Sequence, residues 1–169
     1  MDGSDSASIP LSIPHLRTPR LTLREYRMQD FDTYAAHFAE SGYADRKNAW
    51  RMFGCNTGGW LLQGVGWWAV EVHETGELVG SVGAFFRESW PEIEIGWNTY
   101  RAFRGRGFAR EAAAEVVRYA FEVRREARVT ALIDPGNAAS LRVASHVGLK
   151  YEGDAELWGQ KVGRHALAR

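Results

Sequence analysis

The stretch "RGRGFAREAAAEVVRYAFE", residues 104–122, decides how the whole chain is read. It opens on arginines and glycines and continues as alanines, valines and aromatics. Its start therefore admits two readings, an arginine-rich nucleic-acid element or a glycine turn that receives an anion. From Phe108 onward the apolar residues fall into two adjacent columns at a spacing of four: Phe108, Ala112, Val116 and Ala120, then Ala109, Ala113, Val117 and Phe121. That is the broad stripe of a helix packed on a core. The opposite positions, Arg110, Glu111, Glu115, Arg118 and Glu122, mix both signs, whereas a helix laid on nucleic acid exposes unopposed cations. The nucleic-acid reading fails.

The anion reading survives. Gly105 and Gly107 stand where the backbone must turn into a helix N-terminus, and successive N–H groups there, with the positive end of the helix dipole, attract negative charge. A pyrophosphate could approach such a backbone closely, with Arg104, Arg106 or Arg110 adding charge. A plain glycine turn before a core helix remains open on these residues alone. Two familiar phosphate loops are excluded. There is no Gly-Lys-Ser/Thr ending, and a dinucleotide fingerprint begun at Gly105 would need glycine where Arg110 stands.

Working outward, "RLTLREY" (20–26) alternates as a half-buried strand, and Asp30 is a candidate N-cap for a helix 31–40 that stops at Ser41–Gly42. Residues 43–64 carry helical fragments and then the glycines of "NTGGW", which argue against one long helix. "GWWAVEVHETGELVGSVGAFF" reads as two strands joined at Glu74–Thr75–Gly76. Strands follow at 91–97 and 128–134, and together they flank the helix, which implies a parallel crossover. A short helix after "PGN" is closed by Gly148, and the last residues form one or two strands around Gly159. Residues 1–15 are expected to be a disordered tail, and 16–169 one domain. The fold class is α/β (α+β): a mixed, mostly antiparallel sheet with helices on both faces.

The bulk numbers agree with an ordinary globular domain. The chain has 169 residues, 45% hydrophobic and 25% charged, with 21 basic residues balancing 21 acidic ones. No net field draws it to nucleic acid or anionic lipid. The lone Cys55 cannot form an internal disulfide, so a cytoplasmic setting is expected. No apolar run approaches a bilayer span and no signal-peptide pattern opens the chain. His37, His73, His146 and His165 lack ligand spacing, so no metal site is expected.

Arg104-Gly105-Arg106-Gly107-Phe108-Ala109 resembles the R/Q-x-x-G-x-G/A signature of the GCN5-related N-acetyltransferases (GNAT). "EIGWNTYRAFRGRGFAREA", "TPRLTLREYRMQDFDTY" and "IDPGNAASLRVASHVGLKYEG" resemble, in the right order, blocks of the branch that acetylates ribosomal-protein alanine. The resemblance runs from about residue 17 to the end. It implies a single-domain GNAT fold, with a splay between two central parallel strands, and acetyl-CoA as co-substrate. Its pyrophosphate would lie on Arg104 to Ala109, and its pantetheine arm along Trp97, Asn98 and Thr99 and against Asn137. Asn137 reads equally as a helix N-cap, and the two roles can coexist.

The implied reaction is direct attack of a primary amine on the thioester. Glu94, or Glu92 on the same face, is the candidate base, although "EIEI" alternation also fits a solvated strand face. Ser140 is the candidate partner of the departing sulfur. There are departures from the family pattern. Ala144 stands where many relatives carry a tyrosine acid, leaving Ser140, Tyr151 or water. Leu149 replaces a common phenylalanine, and the last strands are expected to be short or differently arranged. Tryptophans 50, 60, 67, 68, 90 and 97 fall in the half that would line the acceptor side, most of them as core. The missing tyrosine keeps a second function open, a non-catalytic acyl-CoA sensor. The expected partners are acetyl-CoA and an amine acceptor, without nucleic acid or membrane, in a monomer or homodimer.

Overall fold

Alternation puts Leu21 and Leu23 fully inside, and they seat β2 (Leu21–Arg24) in the sheet. The computed structural model describes residues 12–169 apart from Ser89. Besides β2, its strands are β1 (Leu16–Arg17), β3 (Trp67–Val72), β4 (Leu78–Phe85), β5 (Ile93–Thr99), β6 (Arg128–Ile133), β7 (Lys150–Leu157) and β8 (Gln160–Ala168). They form one sheet in the order β1-β2-β3-β4-β5-β6-β8-β7. Every neighbouring pair is antiparallel except β5 with β6.

The helices α1 (Phe31–Glu40) and α2 (Arg46–Gln63) bring Phe31, Tyr34, Phe38 and Phe53 into an aromatic core with Tyr26 on one face. On the other, α3 (Phe108–Glu122) buries Phe108, Ala112, Val116 and Ala120 against Ile93, Ile95 and Val129. The short α4 (Ala138–His146) lies beside it and adds Ala144 to that core. No helix among the described residues is long and apolar enough to cross a membrane.

Three local expectations change. Residues 46–63 form one helix despite three glycines, because Asp45 caps its start, accepting from Asn48 N at 2.8 Å, and Gly64 closes its end. Buried Ala49, Phe53 and Trp60 hold it to the core, so tertiary packing overrides weak propensity. Asp30 precedes α1, but its carboxylate does not cap that helix. It accepts from both terminal nitrogens of Arg24, at 2.8 and 3.0 Å, and from Arg27 N at 2.7 Å. Arg24 is only 3% exposed, and a buried guanidinium outcompetes a helix amide for that carboxylate. Finally, β7 and β8 are full strands of eight and nine residues rather than short ones, with β8 inserted between β6 and β7.

Of the expected tail, residues 1–11 lie outside the described residues. Within residues 12–15, Pro14 O accepts from Trp68 Nε1 at 2.7 Å.

The feature that shapes the site is a divergence inside the sheet. Parallel pairing of β5 with β6 is confined to Ile93 opposite Val129 and Glu94 opposite Thr130. Yet β5 continues to Thr99, paired all the way with β4. Beyond Glu94 it therefore has a neighbour on one side only. Tyr100 N donates to Val79 O at 2.9 Å, so by alternation Trp97 and Thr99 aim their N–H and C=O groups away from β4, into the gap.

Candidate active site

The loop before α3 is built around two left-handed residues, Gly105 at φ +79 and Gly107 at φ +81, the latter also the N-cap. Any other residue would be strained there by about 1–2 kcal/mol. Among the described residues the amides of residues 105–110 have no hydrogen-bond acceptor in the chain. Arg104 N and Glu111 N, on either side, do have one. The free amides bracket a helix N-terminus, where the dipole adds partial positive charge.

Glu111 fixes this loop against the start of the sheet. It accepts from Thr18 Oγ1 at 2.6 Å, Arg20 N at 2.8 Å and Arg20 Nε at 2.7 Å, and Arg20 Nη1 in turn donates to Arg106 O at 3.0 Å. Partial burial pushes the Glu111 carboxyl up, but the hydrogen bonds from Thr18 and Arg20 outweigh it and hold it below its ordinary range. A depressed carboxylate stabilises the fold above its unfolded value near 4.5 and loses that stabilisation as pH falls. Glu111→Ala is expected to cost about 1–3 kcal/mol at neutral pH, with a smaller loss at pH 4, in paired thermal melts.

A cleft of about 570 Å³ opens from the loop. Trp97, Asn98, Thr99, Arg104, Gly105, Gly107, Phe108, Ala109 and Asn137 line it together with Ser140, so most of the expected cofactor-binding residues lie in one place. Arg106 is the exception: its guanidinium lies over the Phe108 ring, 4.9 Å from the centroid, and only its amide belongs with the loop. Asn137 is the N-cap of α4, its Oδ1 accepting from Ser140 N at 3.0 Å. Its Nδ2 has no partner among the described residues, so the cap leaves a donor spare.

The splay continues this cleft through the sheet. A smaller cavity of about 250 Å³ is lined by Glu94 and Trp67 from one face and by Asn137 and Ser140 from the other. Glu94 is 4% exposed, not on a solvated strand face. The Arg87 guanidinium clamps its carboxylate through Nε and, at 2.9 Å, through Nη2. Burial pushes the Glu94 carboxyl above its ordinary range, against the opposing pull of Arg87 and of the Leu132 amide. Glu92 goes elsewhere: it stands just before β5 and pairs with Arg128 at 2.9 Å, on the side of Glu152. Ala144 is buried in the core, and Tyr151 is exposed outside this cleft and the smaller cavity, donating to Asp154 Oδ1 at 2.8 Å. Neither supplies an acid here.

On the α1/α2 face the slot widens into a cavity of about 1020 Å³, which meets the cleft at Trp97. Trp67 floors it. Its indole stacks on Phe85 and lies flat across Gly83 and Gly96, where a Cβ would come within 2.6 and 2.5 Å of the ring. Of the other tryptophans, Trp60 and Trp68 are core, Trp50 is half-exposed against Phe31 and Trp90 is half-buried outside the cavities. Two residues here escaped sequence reasoning. Arg87 is one, although a cation just after β4 faces an acid at the start of β5 whenever those strands form a hairpin. His37 is the other: its Nε2 lies 3.0 Å from Asn98 Oδ1, and nothing in the sequence links positions 61 apart. Burial and the Arg104 charge hold its imidazole below its ordinary range despite the Asn98 contact, so it is neutral at pH 7.

A splayed β5–β6 pair, a glycine loop with free amides and cavities meeting from both faces define a GNAT-type acetyltransferase. The family profile described as an acetyltransferase (GNAT) domain matches residues 20–150, and the chain belongs to that family. It is similar to an acetyltransferase from Agrobacterium tumefaciens strain C58, with a TM-score of 0.85 and 31% identity over 96% of this chain and 98% of that one. It is 34% identical to the uncharacterized protein YkkB of Bacillus subtilis over 124 residues, 72% of each chain. RimJ of Mycobacterium smegmatis, solved in complex with CoA-disulfide, shares the fold, with a TM-score of 0.72 and 22% identity over 88% of this chain and 81% of that one.

Proposed function

We propose that residues 16–169 form one N-acetyltransferase domain, which moves an acetyl group from acetyl-CoA to a primary amine by direct attack. The observation that carries this reading is the splay. It leaves the Trp97 backbone groups and the Thr99 N–H without a strand partner beside the free amides of residues 105–110, with Thr99 O accepting from Arg104 Nε at 3.2 Å, in a cleft large enough for an extended thiol arm. These donors suit a pyrophosphate at one end and a peptide-like chain along the strand. The CoA complex of the M. smegmatis relative supports the same choice of co-substrate.

Bound there, acetyl-CoA supplies an acyl group activated as a thioester. Trp97 N–H faces the gap and offers a fixed donor to the charge that develops on the acyl oxygen. Glu94 takes the proton of the attacking amine, directly or through water, and its raised affinity for protons makes it the stronger base. Ser140 offers a hydroxyl to the departing sulfur, and Asn137 Nδ2 holds the arm in register. Ser140→Ala is expected to lower kcat about tenfold with little change in KM, the mark of an interaction made in the transition state.

A second reading, a CoA-binding sensor without turnover, is favoured by one observation: Ala144 is core, where many relatives place an acid. A panel of amines incubated with acetyl-CoA separates the two. CoA release that depends on the amine supports transfer. Tight CoA binding with no release against any amine establishes the sensor.

A further inference from the structure

The large cavity on the α1/α2 face has a chemistry of its own, and the inference drawn from it rests on the transfer reading above. Its lining is aromatic: Trp67, Phe85, Trp97 and Trp158 wall it, with the buried rings of Tyr34 and Phe38 behind them. Among the described residues, no aspartate or glutamate lines it. Of its two arginines, Arg87 is neutralised by Glu94 and Arg104 keeps its charge, while His37 is neutral at pH 7. The space therefore offers no carboxylate to a second ammonium group and repels one through Arg104.

Trp158 is the second, independent observation. It occupies the turn between β7 and β8 at φ +51, a left-handed position that a bulky residue adopts only at a cost of about 1–2 kcal/mol. Its side chain is 77% exposed, so it is not held there by the core. Its ring lies over the Arg87 guanidinium, 5.3 Å from the centroid, and Arg87 also lies 5.3 Å from the Phe85 centroid. A strained, exposed indole at the mouth of an aromatic cavity is a wall waiting for an apolar occupant.

We propose that the acceptor is a monoamine carried on an aromatic or similarly apolar body, selected by this cavity and by Trp158, and not a polyamine or an aminoglycoside. The transfer forms a bond from the amine nitrogen to the acyl carbon and breaks the bond from that carbon to sulfur. The proton lost from nitrogen ends on the thiolate, giving an N-substituted acetamide and free CoA thiol.

The test follows thiol release from acetyl-CoA with 2-phenylethylamine, tryptamine, spermidine, kanamycin and tetra-alanine. Amine binding to the CoA-loaded protein is followed in parallel by titration calorimetry. The arylalkylamines are expected to exceed spermidine and kanamycin by about tenfold or more in kcat/KM and to bind at lower concentration. Leu62→Glu, which adds a carboxylate at the cavity on a largely exposed residue, is expected to narrow that ratio about threefold. Trp158→Ala should raise KM for tryptamine several-fold without changing CoA affinity. Spermidine, kanamycin or tetra-alanine as the best substrate overturns the proposal. If no amine is acetylated, the transfer reading falls, and the order of amine binding still decides the cavity's preference: spermidine binding as tightly as tryptamine overturns it.

Discussion

Gly107→Glu is expected to weaken acetyl-CoA binding about a thousandfold while the protein remains folded. The residue sits at φ +81 at the N-cap of α3, among the amides that have no acceptor in the chain. A glutamate there has two separable effects. The left-handed backbone costs about 1–2 kcal/mol in the free and bound protein alike, which lowers stability without changing affinity. The carboxylate then competes for the amides and faces the pyrophosphate. At about 4 Å and an effective dielectric near 20 that repulsion is about 4 kcal/mol, equivalent to roughly a thousandfold in Kd. A Cβ at this position meets only the far end of Arg20, at 3.4 Å, so the loop has room to keep its shape. Gly107→Ala is the control, with a similar loss of stability and a much smaller loss of affinity. Titration calorimetry across salt concentrations checks the assignment, since the extra loss in the glutamate variant shrinks as salt screens it.

Glu94→Gln is expected to lower kcat about a thousandfold, the middle of the range for losing a positioned base. Burial raises its folded affinity for protons above the unfolded value, so this group favours the folded state most at low pH. That contribution is lost as pH rises through the folded value. At neutral pH the ionised carboxylate thus carries a burial cost that its Arg87 clamp only partly offsets. Glutamine has the same shape and no charge to bury, but it leaves the Arg87 guanidinium without its counter-charge, so the two effects oppose each other and the variant should melt close to the parent at pH 7. The acid limb of the kcat/KM profile should vanish with it. A rate loss accompanied by a matching drop in melting temperature would mean that Glu94 is structural instead.

The α3 segment was legible from end to end because its stripe of apolar residues is long and its glycines mark the start. The anion-binding reading of the glycine loop follows from it, whereas Trp97 to Thr99, Asn137 and Ser140 are legible only through the family resemblance. What stayed hidden depended on burial that local pattern does not encode. "EIEI" looks like a half-solvated strand, yet the second glutamate enters the splay and is 4% exposed, while the first turns out to Arg128. Asp30 precedes a helix and reads as its cap until a buried Arg24 claims it. The glycines of α2 argue locally against the helix that Phe53 and Trp60 hold in place. His37 reaches the site only because α1 packs across the sheet onto Asn98.

The central claim is that the free amides of residues 105–110 and the open edge of β5 hold acetyl-CoA, and a crystal structure of the complex tests it directly. Pyrophosphate oxygens are expected within about 3 Å of those amides, the arm alongside Trp97 to Thr99, and the sulfur between Trp97 and Ser140. Pyrophosphate density away from this loop, or an arm that does not enter the gap between β5 and β6, would contradict it.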